Sequence, residues 1–259
     1  MGSAVRNGEK VIILTGAGAG IGLAITNQLL TNSNVSLVVG IDVKTSEIES
    51  LLEKHQDRLT IIQGDVSDRT TSERAVKNAL DRKGRIDAII LNAAILRPIG
   101  PAAETKVEEW KRLFDVNFFG LLHTIQVALP HLRKTQGQIL MTSSGTSFRA
   151  HAAWTAYACS KAAMNWLCAG LAVEEDQVTM LCVTPGIVDS GQQAEIRNEH
   201  KSNMPPEQYK WLADLHARGE LLPPQRPASS FVRLAVNGIP KALNGQVVPW
   251  DDARIYSAN

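Results

Sequence analysis

At 259 residues the chain is long enough to bury a sizeable core and short enough for one α/β domain, 1–259. Lys and Arg number 27 against 26 Asp and Glu, so the charge balance gives no reason to expect nucleic acid or an anionic membrane as partner. Cys159, Cys168 and Cys182 show no paired C-x-x-C spacing, which argues against a disulfide framework or a structural zinc and for three reduced, mostly buried thiols.

The opening MGSAVRNGEK lacks the apolar run of a secretion signal, and Arg6 stands where a myristoylation motif needs Ser or Thr. The longest strongly apolar stretch, near Leu167 to Val173, falls far short of the roughly 20 residues a bilayer requires. A soluble, cytoplasmic protein with no membrane partner is expected. Short β-branched runs then alternate with helical patterns. The runs are Val11 to Leu14, Ser36 to Ile41, Thr60 to Ile62, Ala88 to Leu91, QILMT around Ile139, and Val178 to Val183. That order predicts a single-domain α/β Rossmann architecture: a doubly wound parallel sheet with helices on both faces. From Val188 to Gln225 the pattern turns polar and partly helical, and a segment of that length, 188–225, predicts a substrate lid.

The first strand runs into Thr15-Gly16-Ala17-Gly18-Ala19-Gly20-Ile21-Gly22 and then a helical pattern. Glycines there permit a tight turn and let the backbone meet a pyrophosphate at a helix amino terminus. Asp42 ends the second strand 26 residues beyond Gly16, near the distance at which a carboxylate meets an adenosine ribose, with Val43 beside it. A 2′-phosphate about 4 Å away would meet repulsion of roughly 4 kcal/mol per unit charge before screening, which favours NAD(H) over NADP(H). Ala19 gives a 2′-phosphate no basic partner, whereas Lys44 keeps NADP(H) as an alternative.

Tyr157 and Lys161 lie four residues apart in a helical pattern and share a face. A phenol with a pKa near 10 is a poor proton exchanger at neutral pH. An ammonium about 4 to 5 Å away is expected to lower that pKa by two to three units. Ser144, or Ser143 beside it, ends a strand and can donate to a developing oxyanion. His123, His131 and His151 fall at no metal-ligand spacing and read as surface or packed residues, so no metal is expected. Apolar residues on more than one face of the helices around Val107 to Leu129 and Tyr157 to Val173 suggest a homodimer or homotetramer.

TGAGAGIG, GDV at Gly64 to Val66, LNAA at Leu91 to Ala94, VNFFG, SSG, YACSK and PGIVDS at Pro185 to Ser190 appear in order over almost the whole chain. Together they resemble the short-chain dehydrogenase/reductase (SDR) family, of the TGxxxGxG and YxxxK type. Several stretches are similar to its fungal benzil reductase and sepiapterin-reductase-like branch. The resemblance implies an NAD(P)-dependent carbonyl reductase or alcohol dehydrogenase acting on a small-molecule carbonyl or alcohol. Tyr157 would be the general acid/base, Ser144 would hold the substrate oxygen, and Lys161 would bind ribose. Asn117 would support a water relay to Lys161. Asp65 and Val66 would contact adenine, Asn92, Ala93 and Ala94 would flank the cofactor, and Pro185, Gly186, Ile187, Val188 and Ser190 would receive the nicotinamide end. Ala94 for a frequent glycine, Ser190 for threonine, and acidic Asp42 against that branch's common NADP preference depart from the pattern. Ile95, Leu96, Phe148, Trp154 and Ile187 are expected to wall the substrate pocket, being near the catalytic positions in sequence. The competing reading is a regulatory or scaffold protein that binds the cofactor without turnover.

Overall fold

A computed structural model describes residues 9–257; the segment 1–8, read above for export and lipidation signals, lies outside the described residues. In chain order the elements are β1 (Lys10–Thr15), α1 (Gly20–Thr31), β2 (Val35–Asp42), α2 (Ser46–His55), β3 (Leu59–Gln63), α3 (Arg69–Lys83) and β4 (Ala88–Leu91). Next come α4 (Val107–Phe114), a π-helical turn (Asp115–Phe119), α5 (Gly120–Thr135), β5 (Gln138–Thr142), α6 (Thr155–Glu174) and β6 (Thr179–Thr184). The chain then forms α7 (Gly191–Glu199), α8 (Pro206–Ala217), α9 (Gln225–Asn237), β7 (Val247–Pro249) and α10 (Ala253–Tyr256). All strands pair in parallel, in the order β3-β2-β1-β4-β5-β6-β7. The expected doubly wound sheet is therefore present.

Continuous apolar runs are required because each strand buries both faces. Ile12 and Leu14 of β1 join Val38, Ile90, Leu140 and Leu181 in a core closed by α1 and α9 through Ile25, Leu29 and Phe231. Val11 and Ile13, pointing oppositely, join Leu37, Ile89, Ile139 and Met180 under α3, α5 and α6. Helix ends follow local chemistry: Asp68 caps α3 by accepting the Thr70 N–H at 2.9 Å, and Gly84 ends it in the left-handed region at φ 70°.

The helical run Val107–Thr135 is, by length and composition, apolar enough to cross a bilayer, which the search for contiguous apolar residues did not reveal. Its Leu121, Ile125, Ala128 and Leu132 are packed into the second core, so the apolar character is used for burial against the sheet. Cys168 and Cys182 are buried free thiols, and Cys159 is exposed.

Order reverses between β1 and β4: the chain leaves β1 toward β2 on one side and returns to β4 on the other. Diverging connections open a crevice at the carboxyl ends of those strands. The excursion between β6 and α9 arches over it. It begins and ends at one place, where Val188 bridges Leu222, the Asp189 N–H donates to the Leu222 carbonyl at 2.9 Å, and the Leu222 N–H donates to Ile187 at 2.9 Å. Ile196, Met204 and Leu212 from this excursion pack with Leu96, Ile99 and Trp154 into a third, separate apolar cluster.

Candidate active site

Glycine stereochemistry shapes the floor of the crevice. Gly16 turns at φ 67°, and a Cβ there would lie 2.8 Å from the Ala93 Cα. A Cβ on Gly22 would fall 1.8 Å from the Gly16 carbonyl oxygen, so a side chain there would force the turn and α1 apart. Thr15 closes the seam from below, its Oγ1 accepting the N–H groups of Asn92 at 3.0 Å and Ala93 at 3.1 Å. Asn92 donates from Nδ2 to the Gly16 carbonyl at 3.1 Å. No side chain caps α1 at Ala19, so the helix amino terminus faces the crevice with its dipole available to an anion.

The crevice is a cavity of about 680 Å³. Gly16, Ala19, Gly20, Ile21, Asp42, Val43, Asp65, Val66, Asn92, Ala93 and Ala94 line one end, and Pro185, Gly186, Ile187, Val188 and Ser190 line the middle. Thr15, Gly18 and Gly22 shape the turn without lining the cavity. Asp42 is already engaged: Oδ2 accepts the Gly18 N–H at 2.8 Å and Oδ1 the Lys44 N–H at 3.0 Å. It fixes the glycine turn as well as facing the rim. Burial pushes the Asp65 carboxyl up, but hydrogen bonds from Ser67 and Arg112 outweigh it and hold the pKa below the usual carboxylate range. Arg112, which donates to Asp65 and also to Ser67 Oγ at 2.8 Å, is a cavity residue sequence reasoning missed. Its place on α4, four residues before VNFFG, does not by itself say where its side chain points.

Ser144, Tyr157 and Lys161 converge at the other side of the cavity. The Ser144 hydroxyl acts on the Tyr157 phenol to favour its ionised form, and its Oγ accepts the Thr146 N–H at 3.2 Å. Ser143 lines the cavity as well, but it is buried and its hydroxyl donates to Asn165 Oδ1 at 2.7 Å. Lys161 is 2 % exposed; its Nζ donates to the Thr142 carbonyl at 2.7 Å and lies 5.7 Å from the centre of the Tyr157 ring.

Burial works against the expected lowering of the tyrosine pKa. Burial pushes the Tyr157 phenol up to about 12, with the Ser144 hydrogen bond opposing, and burial pushes Lys161 down to about 8. Both changes have one physical cause: each charged form loses more hydration than the other supplies in attraction, with the ammonium directed to a carbonyl.

Asn117 sits in the π-helical turn, buried, and clasps the backbone of Ile95: Nδ2 donates to its carbonyl at 2.9 Å and Oδ1 accepts its N–H at 2.8 Å. Nδ2 also reaches Ser160 Oγ at 3.2 Å, and Ser160 donates to the Tyr157 carbonyl at 2.7 Å. Its direct contacts thus tie the β4 extension to the helix carrying the phenol.

Of the expected pocket walls, Ile95, Leu96, Trp154 and Ile187 line the cavity, whereas Phe148 is 68 % exposed and lies outside it. The loop after Ser144 turns through a short helix at Gly145–Ser147, which sends Phe148 outward while Arg149 lines the mouth. His151, read from sequence as surface or packed, also lines the cavity, its ring stacked parallel to Trp211 with centres 6.1 Å apart. Trp211 and Leu212 of α8 and Ile196 of α7 complete the roof.

A family model described as short chain dehydrogenase matches residues 10–201. An uncharacterized oxidoreductase of Schizosaccharomyces pombe is 40% identical over 243 residues, covering 93% of this chain and 96% of that protein. A benzil reductase of Saccharomyces cerevisiae that forms (S)-benzoin is 33% identical over 256 residues, covering 95% and 97%. The crystal structure of a short chain dehydrogenase/reductase from Saccharomyces cerevisiae superposes with a TM-score of 0.93 at 35% identity, covering 95% of this chain and 98% of that one.

Proposed function

The chain belongs to the short-chain dehydrogenase family and is an NAD(P)-dependent oxidoreductase, and from that premise we propose that it reduces a ketone, with NADH preferred, using Tyr157 as proton donor. The observation that carries this reading is the convergence of Ser144, Tyr157 and Lys161 on the cavity whose other end is the glycine turn. When bound, the nicotinamide cofactor supplies the hydride. The residues at the turn fit such a group: a glycine floor, an uncapped helix amino terminus and an extended crevice leading to the phenol.

Tyr157, with its pKa raised, is protonated at neutral pH and so rests in the state that reduction requires. It gives its proton to the substrate oxygen as the carbonyl carbon is reduced. The Ser144 hydroxyl donates to the same oxygen, where a preplaced dipole in a buried site stabilises developing charge. Lys161, ammonium below about pH 8, steadies the phenolate left behind and is placed to hold ribose. Asn117 and the π-helical turn keep Ile95 and the phenol-bearing helix in register, and the same turn is our choice for a water path that reprotonates Lys161. Leu96, Trp154, Ile187, Ile196 and Leu212 give the substrate end an apolar lining that suits aryl ketones and diketones, in keeping with the benzil reductase relative. Asp42 at the rim supports the NADH preference by its charge, and residues 188–225 act as the lid. A homodimer or homotetramer is part of the same reading, supported by Phe119, Trp166 and Val173 exposed on the outer helices.

Titration of NADH and NADPH fluorescence, followed by a ketone, diketone, quinone and pterin panel at the nicotinamide absorbance, tests the proposal. Tyr157→Phe is expected to lower kcat by about 10²–10⁴-fold while leaving cofactor affinity within a few fold. Cofactor binding with no turnover in wild type would overturn it in favour of a regulatory protein.

A further inference from the structure

Arg149 stands at the mouth of the substrate end, and among the described residues its guanidinium has no hydrogen-bond or ion-pair partner. Only its backbone is tied, the N–H donating to the Gly145 carbonyl at 3.1 Å. The other two basic side chains lining the cavity are committed, Lys161 to the Thr142 carbonyl and Arg112 to Asp65 and Ser67. The two acids that line the cavity, Asp42 and Asp65, are both at the dinucleotide end, and one of them is matched by Arg112. No carboxylate among the lining residues neutralises Arg149.

Arg149 and His151 line the same cavity, and burial, followed by the Arg149 charge, makes the His151 ring less basic. His151 stacks on Trp211 and packs beside Trp154, with ring centres 5.5 Å apart. Leu96, Trp154, Trp211 and Leu212 give this end of the cavity apolar and aromatic walls, with Ser144, Thr146, Gln192 and Gln193 as the polar groups among them and Arg149 as its unmatched cation. A guanidinium has the planar fork that fits a carboxylate.

We propose that the natural substrate is a ketone carrying a carboxylate beyond an apolar spacer, and that Arg149 is the residue that selects it. The proposal rests on the ketone-reductase reading above and names its substrate class. It predicts that the charged end contributes to binding, so its effect falls on KM more than on kcat.

The test measures kcat/KM for para-acetylbenzoate, para-acetylphenylacetate and 6-oxoheptanoate, each beside its methyl ester, at saturating cofactor. Wild type is expected to favour at least one acid over its ester by about fivefold, as a charge-assisted contact to an exposed guanidinium allows. Arg149→Gln should erase that ratio, Arg149→Glu should invert it, and Arg149→Lys should keep part of it. Arg218→Gln, at an exposed arginine paired with Glu220 outside the cavity, should leave the ratio as in wild type. Equal or better turnover of every ester, or an acid preference that survives in Arg149→Gln, overturns the proposal alone. No turnover of any acid or ester overturns the ketone reading and this proposal with it.

Discussion

The two ends of the cavity are held by different kinds of structure. At the dinucleotide end the contacts are made largely by backbone: the Gly16 carbonyl, the Gly18 N–H, the Thr15 seam and an uncapped helix. At the substrate end they are made by side chains brought from three distant stretches, around Ile95, His151 and Leu212. A backbone site tolerates little change of residue type, because at Gly16, Gly18 and Gly22 a Cβ would occupy space that peptide groups already fill. A side-chain site tolerates exchange as long as volume and polarity are kept.

The largest effect that would test this contrast is at Gly22. With a Cβ 1.8 Å from the Gly16 oxygen, Gly22→Ala must displace the turn, and the expected loss is about 100-fold in NADH affinity with about 2–3 kcal/mol of stability. Fluorescence titration and urea unfolding measure both, and near-native affinity would break the contrast.

The next effect belongs to Lys161, a charge the fold buries. Its folded pKa of about 8 lies below that of the unfolded chain, so between about pH 8 and 10 the unfolded state binds more protons and stability rises with pH. Below pH 8 the cost is complete and on the order of 2–3 kcal/mol. Tyr157 acts oppositely only above pH 10, where the unfolded chain loses its phenolic proton first. Lys161→Met is therefore expected to be inactive yet more stable than wild type at pH 7, with the gap closing by pH 10 in paired urea melts. A less stable variant at pH 7 would mean that the Thr142 hydrogen bond outweighs desolvation.

The smallest effect sharpens the role of Asp42, which is both clamp and candidate selector. Asp42→Ala should weaken NADH binding and shift the NADH over NADPH preference by about tenfold. An equal loss for both cofactors would leave Asp42 as a clamp on Gly18 alone.

Six of the seven strands were legible because a sheet covered on both faces needs β-branched residues at successive positions, and their limits lie within a residue or two of the apolar runs, whereas the three-residue edge strand β7 was too short to form such a run. The glycine turn was legible because stereochemistry restricts the residue types there. The spacing of Tyr157 and Lys161 showed that they share a helix face, but the sign of their pKa changes depends on hydration, which spacing does not carry. Phe148 and Arg149 show the same limit. They are neighbours in sequence, yet a single short turn sends one outward and the other to the cavity. Arg112 stands four residues before VNFFG, but spacing does not say that its side chain reaches the cavity, and Trp211 comes from a helix with no sequence link to the motifs.

The Val188–Leu222 bridge has a consequence for how such a protein can change. A segment that departs and rejoins at adjoining points leaves the sheet indifferent to its length and content, much as a cassette is indifferent to its recording. Exchange of residues 193–221 between relatives would thus redirect which molecules are accepted while Ser190, Gln192 and the machinery beneath are inherited intact.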